Sequence, residues 1–199
     1  NIRIKEKPDT SRPPGLFAIS GNIIGSQENN VHLTGCYGIA LVGNCIYSAK
    51  HRNLLIEDSR LINVSGNNFR RHTPKYGTGV RFVRSSDITF TGCAIHDETE
   101  EGQPGLSALL ELADCQRINI SGSQFLNGVP SGIMGNNSSH VTITGCTVHD
   151  TREKPKARHA IQFTGKGAGN LVANCTLGNS SSKPIDGNAQ AEGNIGNGK

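Results

Sequence analysis

The sequence of 199 residues has no Trp, a single Met and only 5% aromatic residues. A core built on large rings is therefore excluded, and the 34% of hydrophobic residues must form one from short aliphatic segments. Long hydrophobic runs are missing too. No apolar stretch reaches the roughly 20 residues of a helical membrane span, and Asn1 to Asp9 lack the apolar centre of a signal peptide. Charge of one sign is scarce: 20 Lys and Arg against 16 Asp and Glu leave +4, with no long basic block, so nucleic acid is not an expected partner. The six Cys are too sparse for a disulfide scaffold, and none has CxxC or Cys/His spacing suited to zinc. No cofactor is expected, with calcium the one open alternative.

Turn-forming residues, by contrast, are abundant. The 25 Gly and 19 Asn together outnumber all charged residues. One phrase recurs: apolar, any residue, apolar, two small or polar residues, then Cys or Ser. It reads Val31-His32-Leu33-Thr34-Gly35-Cys36, Leu54-Leu55-Ile56-Glu57-Asp58-Ser59, Ile88-Thr89-Phe90-Thr91-Gly92-Cys93, Ile118-Asn119-Ile120-Ser121-Gly122-Ser123 and Val141-Thr142-Ile143-Thr144-Gly145-Cys146. A shorter copy is Leu171-Val172-Ala173-Asn174-Cys175. The period of two makes each copy a strand with one buried face. A second strand precedes it in Val80-Arg81-Phe82, Leu110-Glu111-Leu112 and Ile133-Met134-Gly135, and Ile46-Tyr47-Ser48 and Ile161-Gln162-Phe163 fit the same place. A third short strand is expected around Ala94-Ile95, Gln124-Phe125 and Thr147-Val148.

The anchors of these copies are Val31, Leu54, Ile88, Ile118, Val141 and Leu171, an uneven spacing in which the step from Leu54 to Ile88 is the longest. Three-strand coils of at least ~20 residues stack as a parallel β-solenoid. No segment sustains the helical period, and no Asn-Gly or Asp-Gly hairpin joins two long alternating strands, which excludes helical repeats, propellers and sandwiches. The expected fold is all-β: a parallel β-helix of about six to seven coils, one domain over 1–199 with its core in 22–179.

Phrases such as Asp87-Ile88-Thr89-Phe90-Thr91-Gly92-Cys93-Ala94-Ile95 and His140-Val141-Thr142-Ile143-Thr144-Gly145-Cys146-Thr147-Val148 resemble the coil repeat of the right-handed parallel β-helix, or pectin-lyase-like, superfamily. The same coil serves lyases, hydrolases, epimerases, phage tailspikes and binding proteins, so the resemblance implies a fold more than an activity. It implies a substrate groove along one strand face and points to Arg81 and Glu111. The sequence sets of polygalacturonases, the Asp-Pro-His-Glu run of alginate epimerases and the calcium-binding aspartates of pectate lyases are absent.

Stacking turns spacings into columns. Cys36, Ser59, Cys93, Ser123, Cys146 and Cys175 form one, read as buried small residues or, for Cys146 and Cys175, as a disulfide. Cys45 and Cys115 fall in turns. Asn63, Asp97, Asn127, Asp150 and Asn179 form a polar column that satisfies turn backbone, or a cation site on Asp97 and Asp150. His96-Asp97 and His149-Asp150 are adjacent strand residues that point to opposite faces, which disfavours a shared proton. The third column carries Tyr47, Arg81, Glu111, Met134 and Gln162 outward, with Lys50, Arg84, Asp114 and Asn137 three residues after the first four.

The lengthened coils place 65–78, 98–107 and 151–158 as loops over that face. They bring Arg70, Arg71, His72, Lys75 and Tyr76, then Glu98, Glu100 and Glu101, then Arg152, Glu153, Lys154, Lys156 and Arg158 before His159. Arg grips anions bidentately and Tyr stacks on sugars, so an acidic polysaccharide is the expected partner, unless the acidic loop neutralises the basic ones. Arg81, Glu111 and His159 are the candidate catalytic residues. Tyr47, Lys50, Arg84, Gln162, Arg71, His72 and Tyr76 are the candidate substrate contacts. A lyase would set Arg81 or His159 at a uronate with Tyr47, Tyr76 or His72 carrying protons, and a hydrolase would pair Glu111 with Asp114 or a loop Glu. The alternative is a non-catalytic carbohydrate-binding or tailspike-like structural module. A secreted or cell-surface location is expected. Strand-like ends at Ile2 and Ile195 suggest a piece of a longer chain, or ends covered by oligomerisation. Residues 5–16 read as a Pro-rich charged loop and 180–199 as a loose Gly, Asn and Ser tail.

Overall fold

The computed structural model describes residues 2–5, 13–178 and 180–196. The first triplet of strands is β1 (Ile2–Lys5), β2 (Gly15–Ser20) and β3 (Ile23–Gly25). Then come β4 (Asn29–Thr34), β5 (Tyr37–Val42), β6 (Cys45–Tyr47); β7 (Arg52–Glu57), β8 (Arg60–Ser65), β9 (Asn68–Arg71); and β10 (Val80–Val83), β11 (Ser86–Thr91), β12 (Ala94–Asp97). The second half holds β13 (Leu110–Ala113), β14 (Gln116–Ser121), β15 (Gln124–Leu126); β16 (Ser131–Asn136), β17 (Ser139–Thr144), β18 (Thr147–His149); β19 (His159–Thr164), β20 (Leu171–Ala173), β21 (Thr176–Gly178); and β22 (Ile185–Asp186), β23 (Gln190–Glu192), β24 (Ile195–Gly196). First strands stack into an eight-stranded sheet A, second strands into sheet B and third strands into sheet C, every ladder parallel. The result is a β-helix of about seven turns, with no helix among the described residues.

The strands fall where the alternation puts them, but two copies of the recurrent phrase belong to a different sheet. Leu54 pairs with Val80 rather than with Ile88. Ile88 pairs instead with Ile62 and Ile118. The phrases at Val31 and Leu54 are thus sheet A strands, while those at Ile88, Ile118 and Val141 are sheet B strands. Ile46-Tyr47 is a sheet C strand, in register with Phe69-Arg70. Leu171 pairs with Thr142 rather than Val141, and with Gln190, while Ile195 continues sheet C opposite Thr176. The long step from Leu54 to Ile88 therefore joins two strand types and is not the length of one coil.

The Cys and Ser column accordingly divides in two. At the A–B corner the Cys36 amide donates to Ser59 Oγ (2.9 Å), the Ser59 amide to Ser85 Oγ (3.1 Å) and the Cys115 amide to Ser138 Oγ (3.1 Å). At the B–C corner an Asn ladder leads into the thiols: the Asn22 amide donates to Asn44 Oδ1 (3.0 Å), that of Asn44 to Asn67 Oδ1 (3.0 Å), and that of Cys93 to Ser123 Oγ (3.2 Å). All six Cys are thiols, Cys146 and Cys175 included. These buried corner amides therefore find side-chain acceptors one coil on, as burial of a polar group requires.

Asp58, Arg84, Asp114 and Asn137 occupy the left-handed region at the A–B corner, with φ of 51°, 46°, 55° and 49°. This costs a non-glycine residue energy, and the stack holds it: the Asp58, Arg84, Asp114 and Asn137 amides donate to Val83, Ala113, Asn136 and Thr164 carbonyls at 2.9–3.0 Å. Inside, Phe69, Phe90 and Phe125 stack with centroids 6.1 and 6.0 Å apart, and Phe82 tilts onto Phe90 at 6.3 Å.

In the polar column Asp97, Asn127 and Asp150 do align, whereas Asn63 lies on β8 opposite Thr89 and Asn179 lies outside the described residues. Most of the 5–16 loop also falls outside them. Guanidinium groups fill the place of a cation. Arg71 donates to Asp97 Oδ1 and Oδ2 at 3.0 and 2.8 Å, and Arg152 to Asp150 Oδ1 at 2.9 Å, all four side chains being buried. Both arginines also bind loop carbonyls: Arg71 reaches Glu101 at 2.6 Å, and Arg152 reaches Thr99 and Asn127 at 3.1 and 3.0 Å.

Two outcomes follow from this packing. Phe90→Ala, at the centre of the ring stack, is expected to lower stability by about 3–5 kcal/mol, read from a denaturant midpoint. Asp87 receives two bonds from Arg117, at 2.6 and 2.9 Å, which with Ser86 hold its carboxyl at about 2. A carboxyl depressed in the folded state stabilises above its ordinary value near ~3.9 and loses that contribution as pH falls toward about 2. Carboxyl-carbon NMR should find the Asp87 midpoint there, and Arg117→Ala should return it to the ordinary range.

Candidate functional site

With the register set, the outward column of sheet A runs His32, Leu55, Arg81, Glu111, Met134, Gln162. Over its first half lies a cleft of about 580 Å³ with Arg52, Leu55, Arg81 and Arg84 in its lining and Gln103, Pro104 and Gly105 along one side. The wall belongs to the β12–β13 connection. Gln103 spans two coils, donating to the His51 carbonyl at 3.0 Å and accepting from the Thr78 amide at 2.8 Å. A Cβ at Gly79 would meet Leu106 at 2.9 Å and Arg52 at 3.1 Å, so the bare backbone there lets wall and floor close up.

Glu111 sits buried at the foot of the wall, 5% exposed. It accepts from Arg52 Nη2 at 2.9 Å and from the Ser107 amide at 2.7 Å, and lies 3.6 Å from Arg81 Nη1. Two guanidinium groups thus share one carboxylate. Burial pulls the Arg52 pKa down, Glu111 opposes that, and repulsion from Arg81 adds to it. Arg81 is the outer of the two, its side chain 40% exposed, and its buried Nε has no partner. Asn29 Oδ1, another buried atom without a partner, also lines the cleft. Arg84 lines it from the corner but is engaged by Asp58 at 2.7 and 2.9 Å, which raises the arginine pKa and lowers that of the carboxyl.

Two histidine–carboxylate pairs border the cleft. His32 Nε2 is 2.7 Å from Glu57 Oε2 and 3.1 Å from Thr34 Oγ1, and His51 Nε2 is 3.0 Å from Glu28 Oε2. A carboxylate at one ring nitrogen fixes the orientation of the imidazole.

Of the residues expected from sequence, Arg81, Arg84 and Glu111 meet here. Lys50 lies away from the lining, exposed and 2.7 Å from Glu28. Gln162 is two coils beyond Glu111 and donates to Asp186 at 3.2 Å. His159 opens β19, 4% exposed, with its Nδ1 2.9 Å from the Lys183 carbonyl. The others gather on the sheet C side. Tyr47 is in register with Arg70, and its ring is 6.4 Å from that of His72. His72 is bound to Glu98 at 2.6 Å, Arg71 is buried, and Tyr76 lies in the 72–79 connection with Lys75 over its ring. Arg70 and Arg71 are strand residues, not loop residues, and Glu98 and Asp97 neutralise this basic group. Arg70, Arg71 and Arg152 are therefore taken up by carboxylates and add no unpaired cation over sheet A.

Sequence reading missed Arg52, His32, Glu57 and Asn29. Their signal was available in the phrases at Val31 and Leu54, whose outward positions meet Arg81 only once those phrases are assigned to sheet A. Among the described residues no group of three His, Cys, Asp or Glu is placed to hold a metal ion, and no helix is long and apolar enough to cross a membrane.

A family model described as the right-handed beta helix region matches residues 19–195, and the chain belongs to that family. No curated protein matches it. Among solved structures it is similar to the periplasmic alginate epimerase AlgG, with a TM-score of 0.64 and 9% identity over 85% of this chain. It spans 43% of the length of that epimerase. It is also similar to a candidate glycosyl hydrolase from Parabacteroides merdae, with a TM-score of 0.53 and 12% identity over 80% of this chain and 83% of the other. At such identity the likeness establishes the shared fold.

The different burial of the charges in the cleft sets their expected worth. Glu111→Ala strands Arg52 in the wall and should cost roughly 3–5 kcal/mol in a denaturation experiment. Arg81→Ala, removing an exposed partner, should cost less than about 1 kcal/mol.

Proposed function

We propose that the chain takes an acidic polysaccharide into the sheet A cleft, with Arg81 receiving a carboxylate. The observation that carries this reading is the incomplete set of partners around Arg81: a part-exposed guanidinium in the cleft lining, 3.6 Å from a carboxylate that Arg52 already holds more closely. Guanidinium groups bind carboxylates through two parallel bonds, so an anion with two oxygens completes the set. The shared fold with an alginate epimerase and a candidate glycosyl hydrolase supports polysaccharide as the ligand class and a secreted or cell-surface setting.

As an enzyme the chain would be a lyase rather than a hydrolase. Hydrolysis needs two available carboxyls, and Glu111 is committed to Arg52 and the Ser107 amide. In a lyase the proton beside the carboxylate passes to a base, the electron pair forms the ring double bond, and the C–O bond to the departing sugar breaks with its oxygen taking up a proton; Arg81 would grip the carboxylate, His32 or His51 would be the base, and the base's proton or water would serve the leaving oxygen.

The test is titration of the purified chain with a panel of acidic and neutral polysaccharides, while following the ultraviolet absorbance of an unsaturated uronate. Binding of an acidic glycan, weakened about tenfold in Arg81→Ala, is the expected result. An absorbance rise abolished by His32→Ala or His51→Ala with binding retained makes the chain a lyase. Binding with no rise makes it a recognition module. A folded chain that ignores every acidic glycan, or binds one equally well after Arg81→Ala, overturns the reading.

A further inference from the structure

Resting on that reading, we infer that the ligand is a heteropolysaccharide carrying isolated carboxylates among neutral sugars, and not a run of consecutive uronates. The argument is the distribution of charge along the face. Parallel coils repeat every ~4.8 Å, close to the advance of one pyranose unit, so a glycan lying along the stack presents about one sugar to each coil. The charges of the coils then dictate which sugars can be anionic.

Among the described residues of the cleft, one coil offers an uncommitted cation. Arg52 is spent on Glu111 and Arg84 on Asp58, which leaves Arg81 as the excess charge. Toward the C-terminal end the Arg81 column continues through Glu111, which Arg52 holds, to Met134, Gln162 and Asp186, and the column beside it through Ala113, Asn136 and Thr164. None is a cation. Toward the N-terminal end the coil before Arg81 presents Leu55 and Glu57, and Glu57 lines the cleft.

A polyuronate laid on this face would put one carboxylate on Arg81, the next toward Glu57, and several more beside outward strand positions of sheet A that hold no cation. Like charges brought together in a partly dry groove repel strongly, and anions stripped of water without a partner add to that cost. Neutral sugars meet no such penalty.

Calorimetric titration with two matched sets of short oligosaccharides separates the alternatives. One set is homo-oligomers of galacturonate, mannuronate and guluronate; the other is oligosaccharides from gellan, xanthan and hyaluronan, in which uronates are separated by neutral or N-acetylated sugars. At least one of the second set should bind about tenfold tighter than every homo-oligomer. Asn136→Arg, which places a cation two coils beyond Arg81 on an exposed position, should narrow that gap by strengthening homo-oligomer binding. A homo-oligomer that binds as tightly as the best hetero-oligomer overturns this inference and leaves the acidic-polysaccharide reading standing, provided Arg81→Ala weakens it. No binding by either set removes both.

Discussion

Everything in this molecule depends on the parallel backbone ladder that ties each coil to the next. Its amides and carbonyls must stay parallel to the stacking axis through every corner, and this restricts the corners far more than the strands. Both corners meet the demand with left-handed residues and with side chains that cap amides one coil away, Ser at the A–B corner and Asn, Cys and Ser at the B–C corner. Sheet B strands consequently begin at a constant offset from sheet A: Val31 and Ile39, Leu54 and Ile62, Val80 and Ile88, Leu110 and Ile118 occupy equivalent places. Extra length enters mainly between sheets C and A, the 165–170 connection between β19 and β20 being an exception. The connections 72–79, 98–109 and 150–158 all lie between C and A, and one of them walls the cleft.

Electrostatics then decides what these connections can do. Arg71 and Arg152 turn inward and are consumed by Asp97 and Asp150 and by loop carbonyls. Buried pairs of this kind contribute little net stability, because desolvation offsets the attraction, but losing one partner is costly, so they fix loop positions. The same logic operates in the cleft, where Glu111 anchors Arg52 and the Ser107 amide and leaves Arg81 partly free. Arg71 and Arg152, which help make the loops basic in composition, are thus internal to the architecture. Along the outward columns of the sheet A strands past Arg81 no second cation follows.

The strands, their inward faces and the stacked architecture were legible because each rests on local alternation: Ile88, Phe90, Ile118 and Ile120 are buried where a period of two puts them. The candidate site was legible only in part. Arg81 and Glu111 lie in strands correctly assigned, Arg84 follows at the corner, and the structure brings the three together. Tyr47 lies in a strand assigned to sheet A that belongs to sheet C, and Arg52, His32 and Glu57 were hidden by the mismatch at Val31 and Leu54. Sheets A and B share one binary pattern followed by a small corner residue, so a strand of one passes for a strand of the other.

By itself, then, the sequence determined a parallel β-helix, its inward residues and its turn-rich corners, since these follow from interactions between near neighbours in the chain. Only the tertiary structure decided which strands are neighbours, that Arg71 and Arg152 are buried, and that Arg52, Arg81 and Glu111 converge. Those outcomes depend on register between segments a full coil apart in the chain, which stacking selects by fitting corner to corner and which no local pattern encodes.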